Sequence, residues 1–307
     1  MAVSKEVSVR VICGPTGAGK TAVALWLAAE HDLTIISADS RQLYRGFDIG
    51  TAKPSAADRE SIPHRGIDVL DPGERASAAW WADAADHWID EASAAARTPL
   101  VVGGTGLYLR ALFAPLFEEP ALDPARRREL QRFLDGQSTD ELRRWTLALD
   151  PPRARFGRTQ LLRAVEIALL TGRPLSALHR QNVRPARRAA RYLVIDPGPS
   201  LAEQIAVRTR TMLDGGWPEE VADLMARVPA EAPAWNASGY RAVREMIEGR
   251  TSRREAEERI VIETRQYAKR QRTWFRHQLV DADVTRLSPA HAGWQEATRL
   301  WWAGQHA

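Results

Sequence analysis

The chain has 307 residues, 44% of them hydrophobic, enough for one large domain or for a core carrying a smaller insert. No stretch approaches the roughly 18 apolar residues that cross a bilayer, and the first residues lack the charged start and long apolar run of a secretion signal, so a cytosolic protein without a membrane partner is expected. The net charge is +4, the pI is near 9.5, and of 43 basic residues only Lys5, Lys20, Lys53 and Lys269 are lysine, a balance that favours a polyanionic partner because the arginine fork holds phosphates and stacks on bases.

Residues 7–13 read as a buried strand, in which Cys13, the one cysteine, is an inert core thiol. Gly14-Pro15-Thr16-Gly17-Ala18-Gly19-Lys20-Thr21 follows, then an alanine- and leucine-rich helical pattern to about Glu30. Two further apolar runs, Leu33 to Ser37 and Pro99 to Val102, end in polar clusters at Asp39-Ser40 and at Gly103-Gly104-Thr105-Gly106. Strands alternating with helices predict an α/β parallel sheet flanked by helices, whose ligands sit beyond the carboxyl ends of the strands. From about Pro120 to Arg188 the texture becomes arginine-rich and helical, as in Asp123 to Leu134 and Thr139 to Leu149, without strand signals. This predicts a helical insertion domain at 119–189 within a core made of 1–118 and 190–307. Tyr192 to Ile195 reads as a returning strand and Ser252 to Gln278 as the longest helix, while the tail after Ser288 carries no assignment.

The glycine loop matches G-x-x-x-x-G-K-[ST] in the strand-to-helix setting that the motif needs. Its amides and the helix N-terminus cradle a diphosphate, Lys20 neutralises charge, and the Thr21 hydroxyl can ligate Mg²⁺. The core is therefore of the P-loop NTPase-like kind, and with ATP as the usual ligand a small-molecule kinase is one reading. An RNA-binding NTPase switch without group transfer is another.

Ser37-Ala38-Asp39-Ser40-Arg41-Gln42-Leu43-Tyr44 and Asp48-Ile49-Gly50-Thr51-Ala52-Lys53-Pro54 point elsewhere. With the phosphate loop, with Gly103 to Tyr108, with Arg163-Ala164-Val165-Glu166 and Thr171 to Pro174, and with TRQYAKRQRTWFR at Thr264 to Arg276, they resemble the family of tRNA dimethylallyltransferases, or isopentenyltransferases. The resemblance covers most of the chain. It implies that dimethylallyl diphosphate occupies the loop formed by Gly14 to Thr21. The acceptor would be the N6 amine of the adenosine 3′ of the anticodon, presented on the tRNA anticodon stem-loop. A Mg²⁺ cofactor, held by the Thr21 hydroxyl, and a protein acting as a monomer are expected.

An exocyclic adenine amine is a poor nucleophile, so attack on an allylic carbon is helped by a base. Asp39, at a strand end near the phosphate loop, suits that role, and the resemblance makes it the base; it could instead cap the next segment or hold the metal through water. Breaking the carbon–oxygen bond of an allylic diphosphate demands stabilisation of the departing charge. For this the resemblance supplies Arg208, with Thr105 as a polar contact at the reacting centre. It also implies RNA contacts at Asp39, Ser40, Arg41, Gln42, Thr105 and Arg127, at Thr159, Gln160, Leu161, Leu162 and Arg163, at Gly239, Tyr240 and Arg241, and at Lys269, Arg270, Gln271, Trp274 and Arg276. In the last group basic residues interleave with Trp274 and Phe275, a pattern suited to phosphates and an unpaired base, although aromatics at helical spacing also form cores. Solvated arginine faces, or a GC-rich genome, would give the same charge runs at Arg126 to Arg128 and Arg184 to Arg191. The chain departs from the family pattern at Pro63-His64-Arg65-Gly66 and at Gly157-Arg158; the second bears on the insert's RNA contacts.

Overall fold

The computed structural model describes residues 8–114, 116–117, 122–181, 183–279 and 282–305, with only the backbone at 116–117 and 183–184. Lys5, Val7 and Pro120, and the side chain of Arg184, lie outside what is described.

Two units are present, one formed by the chain up to Phe113 and again from Arg187, the other by Ala114–Ala186. The strands in chain order are β1 (Val9–Cys13), β2 (Leu33–Ser37), β3 (His64–Arg65), β4 (Thr98–Gly103), β5 (Leu116–Phe117), β6 (Val183–Arg184), β7 (Ala190–Ile195) and β8 (Asp283–Leu287). Six of them make one sheet in the order β3-β2-β4-β1-β7-β8, and every neighbouring pair is parallel. A sheet covered on both faces needs strands that are apolar throughout. Accordingly β2 is buried at every position and β1 at all but Arg10. Arg10 is tolerated because its guanidinium donates to the Trp302 carbonyl at 3.1 and 2.9 Å and lies 4.2 Å over the Trp302 ring.

β1 lies between β4 and β7, with Ile12 registered against both Val102 and Leu193. Later strands thus lie on both sides of β1. A crevice opens at the carboxyl end of such a strand, and the glycine loop begins there. Cys13 is fully buried beneath it, and burial pushes its thiol up to about 12, so it stays protonated.

The tail after Ser288, unassigned from sequence, forms a helix at Trp294–Trp302. Trp301 enters the core, Trp294 meets Trp26 edge-on at 5.2 Å, and Arg299 grips Glu30 with two nitrogens. β8 escapes sequence reading because Asp-Val-Thr-Arg-Leu is an edge strand with little burial. β3 is too short to show a pattern.

The second unit holds the helices Pro124–Asp135, Thr139–Leu149, Arg158–Thr171 and Leu175–Gln181. Asp123 and Ser138 cap the first two through the backbone amides of Ala125, Arg126 and Glu141. Leu134, Leu142, Leu161 and Val165 form its core. Contrary to the expectation of a region without strands, β5 and β6 pair as a short antiparallel ribbon; two residues per strand are too few to leave a period in the sequence.

Candidate active site

The phosphate loop takes its path because glycine permits it. Gly14 has φ 145°, and a Cβ there would lie 2.1 Å from the Ile195 carbonyl oxygen. Gly19, at φ 87°, starts the helix Lys20–Ala28 in the left-handed region. The Lys20 ammonium folds back to donate to the Pro15 carbonyl at 2.8 Å.

β2 delivers the second element. Asp39 accepts the Arg41 backbone N–H at 2.8 Å with Oδ1, so one oxygen holds a tight turn, as the capping alternative required. The Ser40 N–H donates to Thr105 Oγ1 at 3.1 Å, and the Thr105 N–H donates to the Ala38 carbonyl at 3.0 Å. These bonds fuse the ends of β2 and β4. The fusion needs Gly103, whose Cβ would sit 2.2 Å from the Ala38 oxygen.

The helix Arg253–Gln278 forms a lid on both loops. Gln271 is buried, accepts the Thr16 N–H at 2.8 Å and donates to the Gly104 carbonyl at 2.8 Å. Trp274 covers Gly106, where a Cβ would lie 2.3 Å from its ring, and Phe275 is core. Tyr267, absent from the residues expected at the site, lines a cavity together with Thr16 and Asp39. Burial and then the Asp39 carboxylate push its phenol up to about 12. A signal for it exists, because Thr264, Tyr267, Gln271 and Trp274 recur every three or four residues and so share one helix face.

Arg208, on the helix Leu201–Asp214, is held below the usual arginine range by burial, against which the Asp39 carboxylate works. It has no hydrogen-bond or ion-pair partner among the described residues. Lys20 is pushed down to about 8, first by burial, with Asp39 opposing and Arg208 assisting. Two desolvated cations therefore lie within the electrostatic reach of one carboxylate, a setting suited to an anionic ligand.

Two cavities meet there. A polar one is lined by Lys20, Thr21, Ser37, Gln42 and His64, and an apolar one by Ile205, Met212, Trp217, Ile260 and Tyr267. Thr16, Asp39, Thr51 and Arg208 line both. The apolar walls are not legible as a site in the sequence, because such residues in helices read as ordinary core.

Several residues expected to touch RNA do scaffold work in this structure. The Gln42 amide is spent on the Ser37 hydroxyl and on the Thr51 and Ala52 carbonyls. Gln271 is the clamp just described. Gly239 packs against Trp217, while Tyr240 is fully buried and donates to Glu220 Oε1 at 2.6 Å. In the second unit Leu161 is core, and Arg127 and Arg163 hold the buried Glu166 carboxylate. Their pull, with Gln131, keeps Glu166 below the usual carboxylate range although burial opposes it. Leu162 is half-buried, and Thr159, Gln160, Arg241, Lys269, Arg270 and Arg276 are exposed.

A sequence model of the IPP transferase family matches residues 42–278, and one of isopentenyl transferases matches 7–66. A tRNA dimethylallyltransferase of Myxococcus xanthus is 41% identical over 272 residues, covering 87% of this chain and 88% of that protein. One of Acaryochloris marina is 38% identical over 276 residues, with the same coverage of each chain. Among solved structures, the full-length tRNA isopentenylpyrophosphate transferase of Bacillus halodurans superposes with a TM-score of 0.67 at 31% identity, covering 97% of this chain and 96% of its own. A eukaryotic dimethylallyltransferase acting on tRNA has a TM-score of 0.76 at 23% identity, covering 97% and 80%, which speaks for the fold alone. Relatives of nearly the same length thus share this sequence and fold, and the chain belongs to the IPP transferase family.

Proposed function

We propose that this protein transfers a dimethylallyl group from dimethylallyl diphosphate to the N6 amine of the adenosine 3′ of the anticodon in tRNA, working as a monomer in the cytosol. The observation that carries the reading is the pair of desolvated cations, Lys20 and Arg208, around the single carboxylate of Asp39 where a polar and an apolar cavity join. A diphosphate suits the two cations, and a prenyl tail suits the apolar side. Among the described residues no helix is long and apolar enough to cross a membrane.

The chemistry divides among the residues present. The loop amides, Lys20 and Arg208 bind the diphosphate and stabilise it as the allylic carbon–oxygen bond breaks and the electron pair leaves with oxygen. The N6 lone pair forms the new carbon–nitrogen bond, and its proton passes to the Asp39 oxygen not used in the turn. Thr105 keeps the turn beside Asp39 in place by accepting the Ser40 N–H.

The site also suits Mg²⁺. Among the described residues no three His, Cys, Asp or Glu side chains cluster as a metal site, but the Thr21 hydroxyl is exposed beside Lys20. Hydroxyl and diphosphate oxygens are the hard donors that magnesium takes. Bound there, Mg²⁺ would neutralise charge on the departing diphosphate.

The direct test is incubation with dimethylallyl diphosphate, Mg²⁺ and unmodified tRNA, followed by mass spectrometry of the digested RNA. Isopentenyladenosine is expected. Turnover of ATP without prenyl transfer would replace this reading with a kinase.

A further inference from the structure

The apolar cavity has one wall that does not yield. Trp217 opens the helix Trp217–Arg227, is 1% exposed, and presents its indole to the cavity. Two glycines bracket the ring. A Cβ at Gly50 would lie 2.4 Å from the indole Cε2 and Nε1, and one at Gly239 would lie 2.4 Å from Cη2. No other residue type could stand at either place without moving the indole.

The bracket is itself fastened. Glu220, one turn along the same helix, accepts the backbone N–H of Asp48 at 3.0 Å and of Ile49 at 2.6 Å. Its other oxygen accepts the Tyr240 hydroxyl at 2.6 Å, and Tyr240 meets Trp217 edge-on at 5.4 Å. Lys53 ties the same loop from behind through Asp48, at 2.6 Å. The Trp217 N–H, by contrast, has no hydrogen-bond partner among the described residues. A buried unmade donor is destabilising, a cost that a leucine or phenylalanine would avoid. What the position uses is therefore the area and rigidity of the indole, not its hydrogen bond.

We propose that Trp217 is the specificity-determining residue that limits the donor to one isoprene unit. The inference rests on the transferase reading above. With the diphosphate on the Thr16–Gly17 side of the cavity beside Arg208, the prenyl tail points along Ile205 and Met212 toward the indole. Met212 is unbranched and can adapt; the bracketed ring cannot. A second isoprene unit would have to occupy the space that the indole fills.

The experiment compares dimethylallyl and geranyl diphosphate as donors to the same tRNA, using the unaltered protein, Trp217→Ala and Trp217→Phe. A rigid pocket discriminates by about 10- to 200-fold per misplaced methylene. The kcat/KM ratio of geranyl to dimethylallyl should therefore rise at least about tenfold in Trp217→Ala, with geranyladenosine found by mass spectrometry. Because the ratio is taken on one preparation, it does not depend on how much of the variant is folded. Trp217→Phe keeps a ring between the glycines, serves if the alanine variant fails to fold, and should shift the ratio in the same direction. An unchanged ratio in active variants would overturn the inference, as would a raised KM for tRNA alone, which would put the indole on the acceptor's side. Ready use of geranyl diphosphate by the unaltered protein would also overturn it. If the unaltered protein transfers neither group, the transferase reading falls and takes this inference with it.

Discussion

The side-chain oxygen of Gln271 accepts the Thr16 backbone N–H at 2.8 Å, across 255 residues of sequence. Through its amide nitrogen the same side chain holds Gly104, so one residue sets the spacing between the phosphate loop and the loop carrying Thr105. Gln271→Leu keeps the volume and strands both backbone partners. Leaving a buried polar group unpaired costs about 1–3 kcal/mol, and calorimetry should find donor affinity reduced by roughly 10- to 100-fold. Affinity for tRNA should stay nearly unchanged. A loss confined to tRNA binding would make Gln271 an RNA contact and not a clamp.

The Lys20 ammonium gives donor binding a pH dependence with a definite sign. Burial holds it near 8 in the free protein, and a bound diphosphate favours the charged form. Below that value the lysine is already charged and binding takes up no proton there. Above it, binding must take up one proton at Lys20, and affinity should fall by up to about tenfold per pH unit. Titrations at pH 7 and pH 9, in buffers of different ionisation heat, would reveal the uptake. A pH-independent affinity across that span would show that Lys20 is charged throughout.

How much of this is legible in the chain depends on whether a residue's role lies in local backbone geometry or in long-range packing. The loop from Gly14 to Thr21 declares itself because glycine, lysine and threonine at fixed offsets have few other uses together. Asp39 and Thr105 can be placed because each follows an apolar run, and parallel strands put their carboxyl ends on one side. Gln271 and Tyr240 read as RNA contacts because a polar side chain in a basic or loop segment reads as exposed, and only the fold reveals that each closes a hydrogen bond far away. Tyr267 and Trp217 escape notice for the converse reason. An aromatic in an amphipathic helix reads as core, and nothing local says that a cavity stands before it.

Arg127 and Arg270 separate two kinds of arginine that sequence cannot distinguish. Arg127 holds the buried Glu166 carboxylate, whereas Arg270 is exposed on the long helix with its guanidinium 5.7 Å over the Tyr267 ring. Replacing Arg270 and Lys269 together should flatten the log–log dependence of tRNA affinity on salt by about 0.7–0.9 per lost phosphate contact. Arg127→Ala should act mainly by leaving Glu166 short of a partner, lowering the melting temperature and hardly changing the salt slope. A flattened slope with Arg127→Ala, and none with the pair, would move the RNA surface to the insert.

Tyr267→Phe removes the hydroxyl that the Asp39 carboxylate acts on in their shared cavity and leaves the ring in place. One hydroxyl able to hydrogen-bond the incoming amine is worth about 0.5–1.5 kcal/mol, so the single-turnover rate should drop roughly two- to tenfold with donor affinity intact. A rate loss beyond about a hundredfold would place Tyr267 in proton transfer itself.

Asp39 has two separable tasks, and two substitutions divide them. Its Oδ1 holds the Arg41 amide, a bond that asparagine can also accept, while only a carboxylate can take the proton from N6. Asp39→Asn should therefore keep the turn, and with it the Ser40–Thr105 contact, yet lower the single-turnover rate by roughly a hundred- to ten-thousand-fold. Asp39→Ala loses the turn as well, so its tRNA affinity should fall below that of the asparagine variant. Both remove the one negative charge that supports the Lys20 and Arg208 cations. Lys20 should then lose its proton at still lower pH, and an emptied anion site beside two cations should bind diphosphate no more weakly below that point. Donor affinity measured near pH 6 should stay within about threefold of the unaltered protein for either variant, since a lysine that gives up its proton more readily weakens binding only at a pH where it is neutral. If donor affinity at pH 6 instead collapses along with the rate, and added Mg²⁺ recovers both, Asp39 serves the metal, and the base must be sought elsewhere.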